Sequence, residues 1–350
     1  MAWACRLRGL MNQRTGLRSG IPIAEVFRMA GNDRTGSCSV VLLQPAKCLG
    51  DFLLNVTEVS ILAAVKKRSG KQGLPDYSSM MAAYHRAFAP ELKAIIKSLS
   101  IRPGQLVLDF ATGDGTYAQW LARDVAPTGK VLALDISPAF LEVARRSSKR
   151  LAVAPRIEFL QADIHRLPVA TNSVDLVWCA HSLHSFPDPF VAISRMIETV
   201  RPGGRVAVFE NDELHHVLFP WPVEIELAIK RAELSSFIEN SERPRKHYVG
   251  RDLCRLFRAA GLRRCKARAV AFSRQAPLDR AARSFFTSYL KNLRCRIGQH
   301  LEPSLRELVD RLSSSRSKLS LLSSPDLSVT CVNHVMIGSK PLTGRFGHHS

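Results

Sequence analysis

Three aspartates follow short apolar runs in the middle of this chain, and the first of them precedes two glycines. Asp109 ends the apolar run of "VLDFATGDGT", and Gly113 and Gly115 follow it in the spacing Gly-x-Gly. Small residues at this spacing let the backbone turn sharply and bring helix N–H groups against a nucleoside cofactor. Asp135 lies 20 residues after Gly115, where a carboxylate can accept hydrogen bonds from two ribose hydroxyls. The pattern predicts a cofactor site.

The same strand, turn and helix serve NAD, FAD and S-adenosylmethionine enzymes, so neighbouring residues must distinguish them. Asp109 places a negative charge where a pyrophosphate would lie, whereas the ammonium group of a methionyl cofactor would be attracted to it. Asp163 follows the third apolar run and is positioned to accept from an adenine amine, with Ile164 or Leu167 against the ring. The alternatives are a helix cap for Asp135, which Ser137 could also provide, and an ordinary loop position for Asp163. These residues favour S-adenosylmethionine.

Four histidines follow the later apolar runs and could act as a general base. His181 and His184 follow the fourth run, and His215 and His216 follow the fifth. Methyl transfer from a sulfonium needs a base only when the acceptor atom carries a proton. A packing or solvent-facing role is the alternative for each histidine. Because His184 and His181 fall in one predicted loop at the strand ends, we predict them as the catalytic residues.

The elements that must position these residues alternate between strand-like and helix-like segments. Continuous apolar runs predict strands buried on both faces, and the segments between them have helical spacing. This order predicts an α/β fold with a doubly wound, Rossmann-like sheet, preceded by a helical preamble within residues 77–99. The predicted strands are 105–110, 130–135, 156–161, 174–180 and 204–210, with helices near 116–124, 138–151 and 188–200.

The chain after residue 210 predicts a lid over the strand ends, followed by a basic part. In "ENDELHHVLFPWPVEIELAIKRA", residues 210–232, Trp221 would form an apolar wall, with Asn211 and His215 as polar groups that orient the acceptor. The alternative is that Trp221 packs a helix onto the sheet. The later predicted elements are a helix at 251–262, a strand at 263–272, a basic helical stretch at 278–313 and a last strand at 327–340.

Five motifs, in this order and spacing, carry a family resemblance. They are "VLDFATGDG", "VLALDIS", "IEFLQADIHRLP", "NSVDLVWCAHSLHSFPDP" and "RPGGRVAVFE". Over residues 80–262 the chain resembles the class I S-adenosylmethionine-dependent methyltransferases, and within them the type 11 branch that includes the ubiquinone and menaquinone biosynthesis enzymes. The resemblance implies a seven-stranded sheet in which the last strand, about 328–338, inserts antiparallel beside the fifth.

The resemblance also implies where the cofactor-binding residues lie: in the glycine turn, after the second and third strands, and after the fourth. They are Asp109, Ala111, Gly113, Gly115, Asp135, Ile136, Asp163, Ile164, Cys179 and His181. Two residues depart from the family pattern. Ala111 replaces the first glycine of Gly-x-Gly-x-Gly, as in the quinone-type members, and Arg195 stands where an acid often precedes the Arg-Pro-Gly-Gly motif.

The composition is that of a globular chain able to bury one large core. Its 350 residues are 46% hydrophobic and 23% charged. The predicted divisions are a poorly ordered extension at 1–75, a methyltransferase domain at 76–340 and a flexible tail at 341–350. Within that domain we predict a cofactor half at 101–210, a substrate lid at 211–240 and a basic helical insertion at 275–318.

The eight cysteines show neither a C-x-x-C pair nor the spacing of a metal or disulfide site. No apolar run reaches the roughly 20 residues that span a bilayer. We therefore predict no metal, no transmembrane segment and a cytoplasmic location. The arginine-bearing, acid-poor start also fits a mitochondrial transit peptide, but Pro22 and several glycines count against one. A start codon placed too far upstream is the other explanation, because coherent structure is predicted from near Met80.

Basic residues are concentrated outside the predicted cofactor half. The net charge is +20, and residues 228–318 carry 22 basic against 8 acidic residues, whereas 101–227 carry 12 against 15. Such a region is either a solvated helical surface or a surface that attracts anionic partners, nucleic acid included.

Three functions fit these observations. The favoured one is in-line transfer of a methyl group from S-adenosylmethionine to a small, partly apolar molecule. The alternative is an RNA or protein methyltransferase that uses the basic 228–318 region, but the chain lacks the Asn/Asp-Pro-Pro-Tyr sequence of base-amine methylases and a Pro-Cys pair. A nicotinamide oxidoreductase is less favoured because of Asp109, and because none of the five tyrosines has a lysine four residues on. The sequence gives no oligomeric state.

Overall fold

The computed structural model describes residues 73–240 and 247–342. Most of the predicted N-terminal extension and most of the predicted tail therefore lie outside the described residues. No helix in the described ranges is both long and apolar enough to cross a membrane.

Helices and strands alternate along the first half of the described chain, as the apolar runs predict. The helices are α1 (Ser78–Ala87), α2 (Ala89–Ser98), α3 (Thr116–Asp124), α4 (Pro138–Ser148), α5 (Pro189–Thr199), α6 (Val223–Asn240), α7 (Val249–Ala259), α8 (Arg280–Ile297) and α9 (Pro303–Ser313). The strands are β1 (Leu106–Phe110), β2 (Lys130–Asp135), β3 (Ile157–Gln161), β4 (Val174–Ala180), β5 (Val200–Glu210), β6 (Val217–Leu218), β7 (Arg263–Gln275) and β8 (Ser328–Ser339).

These strands form one mixed sheet. The strands β3, β2, β1, β4 and β5 are parallel neighbours in that order, and β8 is antiparallel to β5. One edge of β8 pairs with β5 and β6, and its other edge pairs with β7. The predicted doubly wound sheet, with its last strand antiparallel beside the fifth, is confirmed. The two-residue strand β6 is an addition that the sequence does not predict, because it is too short to show alternation.

The two faces of the sheet pack against different helices because successive strand residues point to opposite faces. Val107 and Trp178 are buried on the face covered by α1, α2, α3 and α8. Leu108 and Val177 are buried on the other face, against α5 and α7. This two-sided burial explains why these strands read as continuous apolar runs.

The parallel strands end at one edge, and this is where polar residues collect. Strand order reverses between β1 and β4, which is where an open α/β sheet forms a ligand crevice. Helix α4 begins there with its own cap, since the Ser137 hydroxyl accepts the Phe140 N–H at 3.3 Å and Pro138 follows at the first helical position. Asp135 is therefore not needed as the side-chain cap of α4.

Candidate functional site

The turn between β1 and α3 holds three residues in left-handed backbone: Ala111 with φ 61°, Gly113 with φ 55° and Gly115 with φ 76°. Gly115 has no room for a side chain, since a Cβ there would lie 2.8 Å from the Ala144 Cβ and 3.2 Å from the Phe159 ring. Gly113 would have nothing within 4 Å of an added Cβ. One glycine therefore permits close helix packing, and the other leaves the backbone open to a ligand.

Asp135 connects the end of β2 to this turn. Its Oδ2 accepts the Gly113 N–H and its Oδ1 accepts the Ser137 N–H, each at 2.8 Å. A carboxylate oxygen has two lone pairs, so each oxygen can still accept from a ribose hydroxyl. The next residue, Ile136, is 63% exposed and presents apolar surface beside the carboxylate. This arrangement fits a nucleoside cofactor.

Asp109 is a buried carboxyl group with no cation within salt-bridge distance among the described residues. The Thr112 hydroxyl donates to it at 2.5 Å. Burial raises the pKa of Asp109 to about 7, and the nearby charges of Asp135 and Asp114 raise it further against the Thr112 hydrogen bond. A cationic group on a ligand would stabilise the ionised form of Asp109.

Three further residues predicted to bind the cofactor, Asp163, Ile164 and Cys179, are mainly engaged in contacts within the protein. Asp163 uses Oδ1 to accept the His165 N–H at 2.8 Å, so part of its carboxylate holds its own loop. Ile164 is half-buried against the core on the α5 side. Cys179 is fully buried in that core, and burial raises the pKa of its thiol, so only its backbone can serve a ligand. Their cofactor roles stay predictions.

The ends of β4 and β5 bring both predicted catalytic histidines to one buried carboxylate, that of Glu210. Its Oε2 accepts the Leu183 N–H at 2.8 Å. Its Oε1 lies 3.2 Å from His184 Nδ1 and 3.8 Å from His181 Nδ1. The Asn211 side-chain amide contacts the same His181 nitrogen at 3.2 Å. Asn211, predicted as an orienting residue, thus lies beside the histidine pair.

A second carboxylate lies on the far side of His184. Glu213 Oε1 is 3.6 Å from His184 Nε2, and its Oε2 contacts Nδ1 of His247. Glu210 and Glu213 were missed from the sequence, although acids at the carboxyl end of an apolar run are a signal that could have indicated them. His247 has no such signal, since it precedes α7 and no motif contains it. Among the described residues no group is arranged to hold a metal ion.

Helix α1 covers these strand ends with aromatic side chains. The Tyr84 ring lies edge-on to His181, with centroids 5.3 Å apart, and the Trp178 ring stacks on Phe209 at 6.2 Å. His85 contacts the Asp114 carboxylate at 3.3 Å, and this pair also connects α1 to the glycine turn. We call these side chains the α1 aromatic cluster: Tyr84, His85, Tyr117, Trp178, His181 and Phe209.

Several polar atoms of this cluster are buried with no hydrogen-bond partner among the described residues. They are Tyr117 Oη, Trp178 Nε1 and His181 Nε2. Asn333 Nδ2 is a fourth such atom, while Asn333 Oδ1 accepts the Tyr84 hydroxyl at 3.3 Å. Leaving a buried polar group unpaired costs about 1–3 kcal/mol, and folded proteins pair most of them. The cluster is therefore suited to a molecule with both apolar surface and polar groups.

The remaining predicted lid residues lie elsewhere. Trp221 is 9% exposed and packs beside Phe219 in the core, at a ring distance of 5.9 Å. His215 is exposed and lines an open cavity of about 390 Å³ along α7, with Arg251 and His334. A second cavity of about 290 Å³ shares Arg251 and His334. The structure thus brings neither Trp221 nor His215 into the α1 aromatic cluster.

The part of the chain that contains this site is similar in sequence to known proteins. Residues 108–208 match the methyltransferase domain family. An uncharacterized 37.1 kDa protein in transposon Tn4556 of Streptomyces fradiae is 30% identical over 208 residues, which are 58% of this chain and 57% of that protein. The ubiquinone/menaquinone biosynthesis C-methyltransferase UbiE of Pseudomonas putida is 38% identical over 115 residues, which are 33% of this chain and 45% of that enzyme. The chain spans about half the length of these curated relatives.

Among solved structures, an S-adenosylmethionine-dependent methyltransferase from Aquifex aeolicus is similar with a TM-score of 0.40 and 20% identity, covering 59% of this chain and 90% of that one. The sequence matches include the β1 to β5 motifs. The chain therefore carries an S-adenosylmethionine-dependent methyltransferase domain, as the resemblance of its motifs indicates.

Proposed function

We propose that this chain transfers the methyl group of S-adenosylmethionine to a small, partly apolar molecule held beneath α1. The observation that carries the proposal is that the glycine turn and the α1 aromatic cluster meet on one face of the sheet. Asp109 and Trp178 are direct partners in the parallel β1–β4 register, so their side chains leave the same face. A cofactor at the turn and an acceptor in the cluster would be neighbours.

The chain's own residues supply complementary groups for each part of the cofactor. When bound, S-adenosylmethionine supplies a methyl group on a positively charged sulfur. Asp135 would accept the ribose hydroxyls, and Asp163 would accept from the adenine amine beside the apolar surfaces of Ile136 and Ile164. Asp109, with its raised pKa, would attract the methionyl ammonium.

The acceptor side combines aromatic walls with a few polar atoms, as small-molecule sites do. Because the leaving sulfur is already activated, holding the acceptor in line and excluding water can supply most of the acceleration. The rings of Tyr84 and Phe209 would contact apolar parts of the acceptor. The unpaired atoms of Tyr117, Trp178 and His181 would bind its polar groups.

The two predicted catalytic histidines are proposed to act when the acceptor atom carries a proton. Burial lowers the pKa of His181 to about 3, although the Glu210 charge opposes this, so its imidazole is neutral near pH 7. A neutral imidazole has a free lone pair that can accept a proton. His184 lies between two carboxylates and is less buried. Asn211 is proposed to orient His181, whereas acceptor contacts of Trp221 and His215 stay predictions.

An RNA or protein substrate is less well supported, because the exposed basic residues at the start of β7 lie away from this edge. Arg263 pairs with Ser339 on β8, whereas Glu210 pairs with His334 on the same strand. Five residues of strand separate these positions by roughly 16 Å. The α1 aromatic cluster is also buried, which suits a small molecule better than a polymer.

The test uses cofactor labelled on its methyl group together with fractionated cell extract. We expect label to enter a small-molecule fraction, and S-adenosylhomocysteine to bind by calorimetry while NAD does not. His184→Ala should reduce methyl transfer by about 10²–10⁴-fold if His184 acts as a general base, with little effect on S-adenosylhomocysteine affinity. Label found only in RNA or protein would replace the small-molecule proposal, and NAD binding without a response to S-adenosylhomocysteine would overturn the cofactor assignment.

A further inference from the structure

Five side chains form an alternating row that extends from the α1 aromatic cluster toward solvent. In order they are His181, Glu210, His184, Glu213 and His247, which we call the His–Glu array. His181 Nδ1 lies 3.8 Å from Glu210 Oε1, and the same Glu210 oxygen lies 3.2 Å from His184 Nδ1. His184 Nε2 lies 3.6 Å from Glu213 Oε1. The fourth pair, Glu213 and His247, is in direct contact. Each carboxylate therefore lies between two imidazoles.

The array reaches solvent at His184 and Glu213. The side chains of Glu210 and His181 are 0% and 7% exposed, those of His184 and Glu213 are 22% and 24% exposed, and His247 is 12% exposed. At the buried end, His181 contacts the rings of Tyr84 and Phe209, and its Nε2 has no partner among the described residues. The array thus connects the proposed acceptor position to water.

Stability alone does not account for these residues. Buried ion pairs are often no more stabilising than apolar side chains of the same size, because burying charge is costly. Burial alone would raise the pKa of Glu213, but contact with His247 and the charges of His184 and Arg296 lower it to about 2. Burial acts likewise on Glu210, and the charges of His184 and His181 lower its pKa below the ordinary value. Both carboxylates are therefore ionised near pH 7 and able to accept a proton in passing.

We propose that the His–Glu array conducts the acceptor's proton to water during methyl transfer, with Glu213 and His247 as positioning residues that hold His184 between the carboxylates. This inference rests on the proposed function. The acceptor atom forms a bond to the methyl carbon, and the carbon–sulfur bond breaks with its electron pair remaining on sulfur. The acceptor's proton passes to His181 Nε2. No oxidant or reductant takes part.

The remaining steps move one proton from group to group. His181 starts with hydrogen on Nδ1, a tautomer that the Asn211 amide stabilises when its oxygen faces that nitrogen. His181 then passes this proton across the 3.8 Å separation to Glu210 as it receives another on Nε2. Glu210 passes a proton to His184 Nδ1, and His184 Nε2 releases one toward Glu213, where water takes it. Burial makes His181 a poor resting place for a proton, so transfer to the ionised Glu210 is needed for it to serve as the base.

The experiment compares Glu213→Gln and His247→Gln with wild type and with Glu239→Gln. Glu239 is a matched control, because its carboxylate also pairs with a histidine, His300, at 3.6 Å, but lies 57% exposed on α6. Transfer of the labelled methyl group to the small-molecule fraction is followed from pH 6 to pH 8, in light and heavy water, with and without added imidazole. Melting curves and S-adenosylhomocysteine calorimetry check that each variant folds and binds the cofactor product.

We expect both array variants to lose about tenfold or more in the turnover rate, with an unchanged acceptor KM. The loss should be largest at pH 6, where hydroxide is scarce, and imidazole should restore turnover in proportion to its concentration. The solvent isotope effect should increase, because proton transfer then limits the rate, while Glu239→Gln stays at wild-type values.

Two results overturn the proposal in different ways. If wild type and the array variants transfer methyl groups equally, or if the variants lose rate without imidazole rescue and without a change in isotope effect, the array is structural and only this inference fails. If wild type binds S-adenosylhomocysteine but transfers no label to any fraction, the proposed function fails and the array has no proton to carry. If Glu213→Gln does not fold, His247→Gln decides the question by the same measurements.

Discussion

Two neighbouring regions at the carboxyl edge of the sheet handle buried charge in opposite ways. In the glycine turn, burial raises the pKa of Asp109 to about 7. In the His–Glu array, Glu210 is fully buried and Glu213 is half-buried, yet the pKa values of both are lowered because histidines lie beside both. Both array carboxylates have histidines of the protein beside them, whereas Asp109 lacks a cationic partner among the described residues.

This difference indicates what each region is built to meet. A buried carboxyl group without a cation costs stability, and natural chains keep such groups mainly at functional sites. Asp109 fits a site in which a ligand supplies the positive charge, as the ammonium of the proposed cofactor would. The array, whose carboxylates already have polar neighbours within the protein, fits a site where an acceptor reacts beside it and a proton must move.

The largest expected effect is on cofactor binding, from Asp135→Ala. Hydrogen bonds to a charged group contribute about 1.5–3 kcal/mol each, so losing two ribose contacts should weaken binding by about 3–6 kcal/mol. That corresponds to roughly two to four orders of magnitude in Kd for S-adenosylhomocysteine, measured by calorimetry. The array variant Glu213→Gln is the control and should bind normally. Equal affinities of wild type and Asp135→Ala would remove Asp135 from the cofactor site.

The turn and the sheet around it could be predicted because their signals are local in sequence. The predicted strand 130–135 coincides with β2, and the predicted helix 116–124 coincides with α3. Three local signals predict this part of the fold: the apolar runs, the glycine pair and the acid at the end of the second run. Each reflects backbone geometry within one strand–turn–helix unit. The preamble 77–99 is helical as predicted but divides at Phe88 into α1 and α2, because Pro90 begins a new helix there.

The array and the α1 aromatic cluster could be predicted only in part, because side chains from distant segments form them. His181 and His184 were predicted from one loop, but their partner Glu210 is 26 residues from His184. His247 is 34 residues from Glu213, and Tyr84 comes from a helix that precedes the whole sheet. No local periodicity specifies that α1 folds back over β4. Trp221 shows that a local pattern can also mislead. The apolar residues around it predict a lid, but the fold buries its side chain in the core.

The second prediction concerns the pH dependence of stability through Asp109. Well below pH 3.8, the ordinary aspartate pKa, folded and unfolded chains are both protonated at this site. Between about pH 4 and pH 7 the unfolded chain releases the proton while the folded chain keeps it, so stability falls as pH rises. The loss is at most about 4 kcal/mol, since one pKa unit corresponds to about 1.4 kcal/mol. Asp109→Asn should abolish this slope in denaturant unfolding from pH 4 to pH 8.

Glu213 provides a test of the same comparison, because its pKa is lowered in the folded chain whereas that of Asp109 is raised. Its folded pKa, about 2, is below the ordinary value of 4.5, so its stabilising contribution is present above pH 4.5 and lost as pH falls toward 2. Glu213→Gln should therefore reduce the acid sensitivity of denaturant unfolding between about pH 2 and pH 4.5. If both substitutions altered the same pH window in the same direction, the contrast between turn and array would be wrong.

The third prediction separates the two glycines of the turn. Gly115→Ala should lower the free energy of unfolding by about 2–4 kcal/mol, because the new Cβ would overlap Ala144 and the left-handed backbone is strained for alanine. Gly113→Ala should cost only about 1 kcal/mol, since the space beside it is open. Urea unfolding measures both. A larger loss for Gly113→Ala than for Gly115→Ala would contradict the assignment of their roles.

The smallest expected effect comes from reversing the charges of Arg263, Arg264 and Lys266 to glutamate. These side chains are exposed, and Arg263 lies on β7 at the opposite end of the strands from Glu210. A surface change of this kind should move stability by no more than about 0.5 kcal/mol per site, and methyl transfer should stay at the wild-type rate.

Weak RNA binding that falls with salt would decide nothing, because any chain with a net charge of +20 attracts phosphates. Turnover is decisive. Loss of methylation in the triple variant, with S-adenosylhomocysteine affinity and folding intact, would mean that the basic strand binds the substrate, and an RNA or protein acceptor would then replace the small molecule proposed beneath α1.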